Sequence, residues 1–213
     1  MAYFPFLIDM EGKSCVIAGG GKIAFRKAEI MLNFGARVTI IAPEICDSIK
    51  QLGQRGEITI YRRKIETEDI LQADYMIAAT DDEKINSYIS QVCHSNKILV
   101  NVVDVKEECS FIFPAVIKKG DLLISVSTSG NSPAATSVLK EKIERNIPDY
   151  YAEMVTQLGS FRENIKEKVR NSQDRKDLYY QLIEDADKRQ SKLPEEYILE
   201  LIEKYAKNNG SER

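Results

Sequence analysis

Along the first hundred residues, short apolar runs alternate with longer stretches in which apolar positions recur every three or four residues. Short runs of this kind fit buried strands and the longer stretches fit amphipathic helices, so the alternation predicts strands that cross over through helices into a parallel sheet. Cys15-Val16-Ile17-Ala18 opens the series, and a helix from Ile23 to about Phe34 follows and stops at Gly35. The second strand runs from Ala36 to Ala42 and is closed by Pro43. Ile58 to Tyr61, Tyr75 to Ala79 and Ile98 to Asn101 supply the third, fourth and fifth. Between the last two, a helix from about Glu83 to Ser95 puts Ile85, Tyr88, Ile89 and Val92 on one face, as packing on a sheet requires.

Around Pro114 the pattern changes. Phe111 to Phe113, Ala115 to Ile117 and Leu122 to Val126 are strand-like, the last two joined by Lys118-Lys119-Gly120-Asp121, so the sheet is expected to turn antiparallel here. Ser132-Pro133 offers a cap and a first-turn proline to a helix from Ala134 to Arg145, which ends before Pro148. From Tyr150 onward every stretch has helical spacing, with breaks near Ser172 and at Leu193-Pro194.

Chemistry enters at the end of the first strand. Gly19-x-Gly21-x-x-Ala24 lies between an apolar strand and a helix start. Glycines there let the backbone approach a pyrophosphate, and the helix N-terminus turns free N–H groups and a positive dipole end toward it. A dinucleotide is the expected ligand. The expected fold is therefore α/β: a Rossmann-like parallel-sheet domain over 1–113, a small antiparallel α+β unit over 114–147 and a helical C-terminal domain over 148–213.

Ligands of open α/β sheets lie at the carboxyl ends of the strands. Glu44, just past the second strand, fits either a partner for the adenosine ribose or a solvated loop carboxylate. Arg37 is at the wrong end of that strand to grip a 2′-phosphate, which leans toward NAD over NADP. Thr80 and Asp82 follow the fourth strand and fit either a cofactor crevice or a helix cap. Asn101, Val102 and Asp104 follow from the fifth. No helix obviously begins after Asp104, so its carboxylate fits either a group that accepts a proton or orients a substrate beside the cofactor, or a plain turn aspartate.

Composition narrows the partners. With 213 residues, 43% of them hydrophobic, the chain can bury a core, and its net charge of −3 argues against nucleic acid or an anionic membrane as a general partner. An anionic partner must then meet local basic clusters; Arg62-Arg63-Lys64 and Lys118-Lys119 fit that role or, residue by residue more readily, ordinary solvated loop and hairpin charges. Four cysteines without a CxxC pair, no signal-like segment and no long apolar span point to a reducing cytoplasm. His94 is the only histidine, so no metal centre of several imidazoles is expected.

GGGKIAFRKA, AATDD, NVVD, SFIFPA and the SGNSP segment, in this order and near these spacings, resemble the dehydrogenase and chelatase module of siroheme synthases, also found alone as precorrin-2 dehydrogenase. The resemblance covers essentially the whole chain, with its motifs in roughly the first 135 residues. It implies NAD-dependent oxidation of precorrin-2 to sirohydrochlorin, with Asp104 of NVVD as the catalytic residue. It places NAD at Gly19, Gly21, Lys22, Ile23, Pro43 and Glu44, implies a homodimer formed through the unit after the nucleotide domain, and puts Thr128 where some bifunctional members carry a phosphorylated serine. Bifunctional relatives also insert ferrous iron, as a substrate, into sirohydrochlorin. A competing expectation is an NAD-sensing module without chemistry. A short-chain reductase is less favoured, because no Tyr-xxx-Lys spacing occurs.

Overall fold

A computed structural model describes residues 3–208. They divide into two compact units, one ending at Phe113 and one beginning at Pro114, so the antiparallel and helical segments share the second unit.

In the first unit, β1 (Ser14–Ala18), β2 (Arg37–Ile41), β3 (Thr59–Tyr61), β4 (Tyr75–Ala78) and β5 (Leu99–Val102) form one parallel sheet in the order β3-β2-β1-β4-β5. Side chains alternate between its faces. Cys15, Ile17, Val38 and Ile40 meet Ala24, Ala28 and Met31 of α1 (Lys22–Asn33) and Ile49 and Leu52 of α2 (Asp47–Gln54). Val16, Ala18, Met76 and Val100 meet Ile70 of α3 (Thr67–Leu71) and Ile89 and Cys93 of α4 (Glu83–Asn96). Burying each Val, Leu or Ile side chain contributes about 1.5–3 kcal/mol, so the two layers hold the sheet from both sides.

Gly35, at φ +80°, ends α1 as the sequence predicts. In α4 the inward face is Asn86, Ile89, Ser90 and Cys93, with Ile85 and Val92 at its margin. Tyr88 is exposed, its hydroxyl 2.6 Å from that of Thr67.

Two expectations fail in instructive ways. Phe111 to Phe113 is not a strand: Ser110 and Phe111 bond irregularly to Val100 on the free edge of β5, while the Phe111 and Phe113 rings pack on the α1 side of the sheet. The edge is thus met by an irregular segment, with the Ser110 hydroxyl also accepting from the Val100 amide at 2.7 Å, rather than by another ladder. Nor does the main sheet turn antiparallel. In the second unit β6 (Ala115–Lys119) and β7 (Leu122–Val126) form their own two-stranded antiparallel sheet, turning at Gly120.

That hairpin is followed by α5 (Pro133–Arg145), capped by the Ser132 hydroxyl at the Ala135 amide and burying no residue. The core of this unit lies among α6 (Tyr150–Ser160), α7 (Arg162–Lys168), α8 (Ser172–Arg189) and α9 (Glu195–Asn208), around Met154, Ile165, Leu178, Leu182 and Ile198. Among the described residues no helix is long and apolar enough to cross a membrane.

Candidate active site

The strand order makes a crevice. From β1 the chain crosses to β2 on one side, while β4 pairs on the other, so the loops after β1 and β4 diverge at a topological switch point. Ala18, Ile41, Ala78 and Val102 are level across four strands, which brings the loops that follow them to one edge of the sheet.

The glycine turn is built for close approach. Gly19 has φ +125°, and a Cβ there would stand 2.1 Å from the Ala79 carbonyl oxygen. A Cβ on Gly20 would stand 1.9 Å from the Glu44 carbonyl oxygen. These two glycines are therefore required by the protein's own packing. Gly21 differs: its φ of −86° suits any residue, and a Cβ there would meet nothing within 4 Å. Gly21 is also the N-cap of α1, and no side chain caps this helix, whereas Asp82 caps α4 and Ser132 caps α5. The first-turn amides, free of a side-chain acceptor and fronted by space that a Cβ would enter, fit a diphosphate. Lys22 and Ile23 are exposed at this mouth, Ile23 at 45%.

The loop after β2 closes against the turn, with the Cys46 amide donating to the Gly20 carbonyl at 2.8 Å. Pro43 and Glu44 lie in this loop, both exposed.

After β4, the polar groups bind one another. Buried Asn86 accepts from the Thr80 amide at 3.2 Å and donates to the Thr80 carbonyl at 2.9 Å, and its Oδ1 lies 2.7 Å from the Thr80 hydroxyl. The Asp82 carboxylate accepts from the amides of Lys84 and Ile85, which assigns it to the helix cap. After β5, buried Asn101 donates to the Phe111 carbonyl at 3.0 Å. Buried Val102 packs in the core, with its amide held 3.2 Å from Cys109 Sγ. The side chains of Asp82, Asn101 and Val102 are thus engaged by the fold itself, leaving the crevice wall to the backbone around them.

Asp104 stands apart. It is exposed, in a turn beyond β5, at φ +61°, a left-handed conformation in which a non-glycine residue is strained. Its electrostatic neighbour is Lys27 of α1, which sequence reasoning missed. Lys27 is half-buried, with Nζ 3.8 Å from the centre of the Phe113 ring, and it makes no ion pair among the described residues. Burial pushes its pKa below the usual lysine value, partly offset by Cys109 and Asp104. A signal was present in the sequence: Lys27 shares a helical stripe with Ala24 and Met31, which face the sheet.

The predicted basic clusters are partly occupied. Arg63 makes two bonds to Asp69, at 2.6 and 2.7 Å, and the pair holds the Asp69 carboxyl below its ordinary range. Lys119 pairs with Asp149 at 2.7 Å. Arg62 lines a cavity of about 570 Å³ at the β3 edge, together with Lys50, Ile45 and Ile60. The Thr128 hydroxyl accepts from the Ser132 amide at 3.1 Å and lies 2.9 Å from that of Thr136. His94 is exposed in the last turn of α4, and all four cysteines are free. Burial raises the Cys15 thiol to about 12 and Cys93 to about 11, so neither is a ready nucleophile. Among the described residues, no group of three or more His, Cys, Asp or Glu is placed to hold a metal ion.

Comparison with known proteins agrees with this geometry. Residues 6–115 match the family described as "Putative NAD(P)-binding", and residues 119–146 match that described as "Sirohaem biosynthesis protein central". The siroheme synthase of Ruthia magnifica subsp. Calyptogena magnifica is 33% identical over 176 residues, covering 83% of this chain and 37% of that protein. The siroheme synthase of Photorhabdus laumondii is 33% identical over 181 residues, covering 85% of this chain and 38% of that protein. The chain spans about two fifths of the length of these curated relatives. A solved structure of SirC, precorrin-2 dehydrogenase, superimposes with a TM-score of 0.76 at 28% identity, covering 95% of this chain and all of that one. With its glycine turn, its switch-point crevice and a family match over more than half its length, the chain belongs to this NAD(P)-binding family.

Proposed function

We propose that this chain oxidises precorrin-2 to sirohydrochlorin with NAD as the hydride acceptor. The observation that carries the reading is the pairing of two features at one sheet edge: an uncapped helix N-terminus behind Gly21, and the exposed carboxylate of Asp104 past β5. The likeness to SirC, precorrin-2 dehydrogenase, over its full length supports the choice of substrate.

The amides of Lys22 and Ile23 hold the diphosphate, and the Pro43-Glu44 loop flanks the adenosine ribose. Glu44 favours NAD, because a carboxylate beside the ribose accepts from its hydroxyls and repels a 2′-phosphate. When bound, the nicotinamide supplies the two-electron acceptor. The oxidation removes one hydride and one proton from the macrocycle; the Asp104 carboxylate takes the proton. Lys27 gives a cation to one of the carboxylates fringing the substrate, whose charge the slightly acidic chain must meet locally.

The chain acts as a homodimer. α5 buries no residue of its own, and Val138 and Leu139 are 52% and 45% exposed on it, an apolar face suited to the same face of a second copy. Free cysteines fit the reducing cytoplasm.

The test is purified protein with precorrin-2 and NAD, following NADH and sirohydrochlorin absorbance, then adding ferrous iron and following loss of the sirohydrochlorin signal separately. NADH formed in step with sirohydrochlorin supports the proposal. A folded protein that binds NAD yet forms no NADH overturns it.

A further inference from the structure

The helical part of the second unit contains a cavity of about 650 Å³ between α6, α7 and α8 that the proposed reaction does not use. Its volume is in the range of small-molecule sites, roughly 300–1,000 Å³. Val155 and Leu158 give it an apolar wall, Tyr179 an aromatic one, and Arg162, Lys166 and Arg175 surround it with positive charge; among the described residues no carboxylate lines it, although the chain as a whole carries a net charge of −3.

The three cations differ in how firmly they are held. Arg175 is fixed, its Nη1 donating to the carbonyls of Val169 at 2.8 Å and Arg170 at 2.7 Å. Arg162 is exposed and has no ion pair among the described residues, while Lys166 has only a loose one, 3.8 Å from Glu163. Tyr179 is half-buried, and both arginines bear on its hydroxyl against the effect of burial, while Glu163, the loose partner of Lys166, acts in the same sense as burial. A fixed guanidinium, a second guanidinium without an ion pair, a loosely paired ammonium and a phenol around an apolar wall favour an anion that also carries an apolar body. Inorganic phosphate would leave the wall unused, and a neutral hydrophobe would leave the cations unpaired.

We infer that this cavity is a binding site for a small amphipathic carboxylate, with its apolar body against Val155, Leu158 and Tyr179 and its acid group between Arg162, Lys166 and Arg175. The inference stands independently of the proposed dehydrogenase reaction.

The test uses the full chain, saturated with NAD, and 1-pyrenebutyrate as a fluorescent probe, read by anisotropy. The wild type is expected to bind one probe per chain, more weakly at high salt. Arg162→Ser with Lys166→Ser, both exposed and outside the core, is expected to weaken binding by at least about tenfold, the loss of one charge-assisted contact. NAD affinity and helix content measured alongside show that the variant is folded. Should that double variant misfold, Lys166→Glu alone carries the same expectation. Binding that changes less than twofold in the folded variant, or a neutral pyrenebutanol that binds as well as the acid, overturns the inference.

Discussion

The Lys27 ammonium rests 3.8 Å from the centre of the Phe113 ring, taking an aromatic face in place of a carboxylate. Such a contact contributes about 0.5–2 kcal/mol, enough to hold the ammonium in place, and it leaves the charge free to meet a ligand anion. Lys27→Met is expected to raise KM for precorrin-2 at least about tenfold while NAD affinity stays within about twofold, with Lys27→Arg recovering part of the loss. Steady-state kinetics beside an NAD titration checks this; an unchanged KM contradicts it.

The three glycines of the turn make separable predictions. Gly19→Ala and Gly20→Ala place a Cβ 2.1 and 1.9 Å from backbone oxygens, so each is expected to cost at least about 2 kcal/mol in denaturant unfolding. Gly21→Ala meets no protein atom and is expected to stay within about 1 kcal/mol of wild type while losing NAD, because its Cβ enters the space before the helix amides.

Asp82 tests the assignment of a cap. Asn caps a helix about as well as Asp, so Asp82→Asn is expected to leave stability and NAD affinity unchanged, and Asp82→Ala to cost about 1 kcal/mol. A loss of NAD affinity in the folded Asp82→Asn protein shows instead that the carboxylate touches the cofactor.

The parallel sheet was legible because its buried strands are short unbroken apolar runs with turn residues at their ends, and the glycine turn was legible because close approach demands glycine. The Phe111 to Phe113 run misleads for a physical reason: aromatic residues that pack on a sheet face from an irregular segment have the same local pattern as a strand. Asn101 read as a site residue because it ends a strand, yet its amide is a tie to the Phe111 carbonyl, a partner ten residues away that spacing does not reveal. Lys27 was hidden by its neighbours, since a lysine beside an arginine on a helix looks like a solvated pair until Ala24 and Met31 show which face it shares. Asp104 stood out as a carboxylate with no helix to cap, but its left-handed backbone is visible only in the structure.

Asp69 gives the clearest dependence on pH. Its bonds to Arg63 hold the folded-state pKa below the ordinary value, so the pair's contribution is full above about pH 4 and is lost as pH falls through the lowered value. Asp69→Asn is expected to cost about 1–2 kcal/mol at neutral pH, with the difference from wild type shrinking toward zero in acid. Urea unfolding of both proteins across that range checks the sign.

Whether the Asp104 carboxylate takes the proton is tested by comparing Asp104→Asn with the wild type, measuring NADH formation from precorrin-2 and NAD affinity on the same samples. A fall in kcat of about 10²–10⁴-fold with NAD affinity intact is expected, since the carboxylate takes the proton and the glycine turn holds the cofactor. Turnover in Asp104→Asn equal to that of the wild type would contradict it.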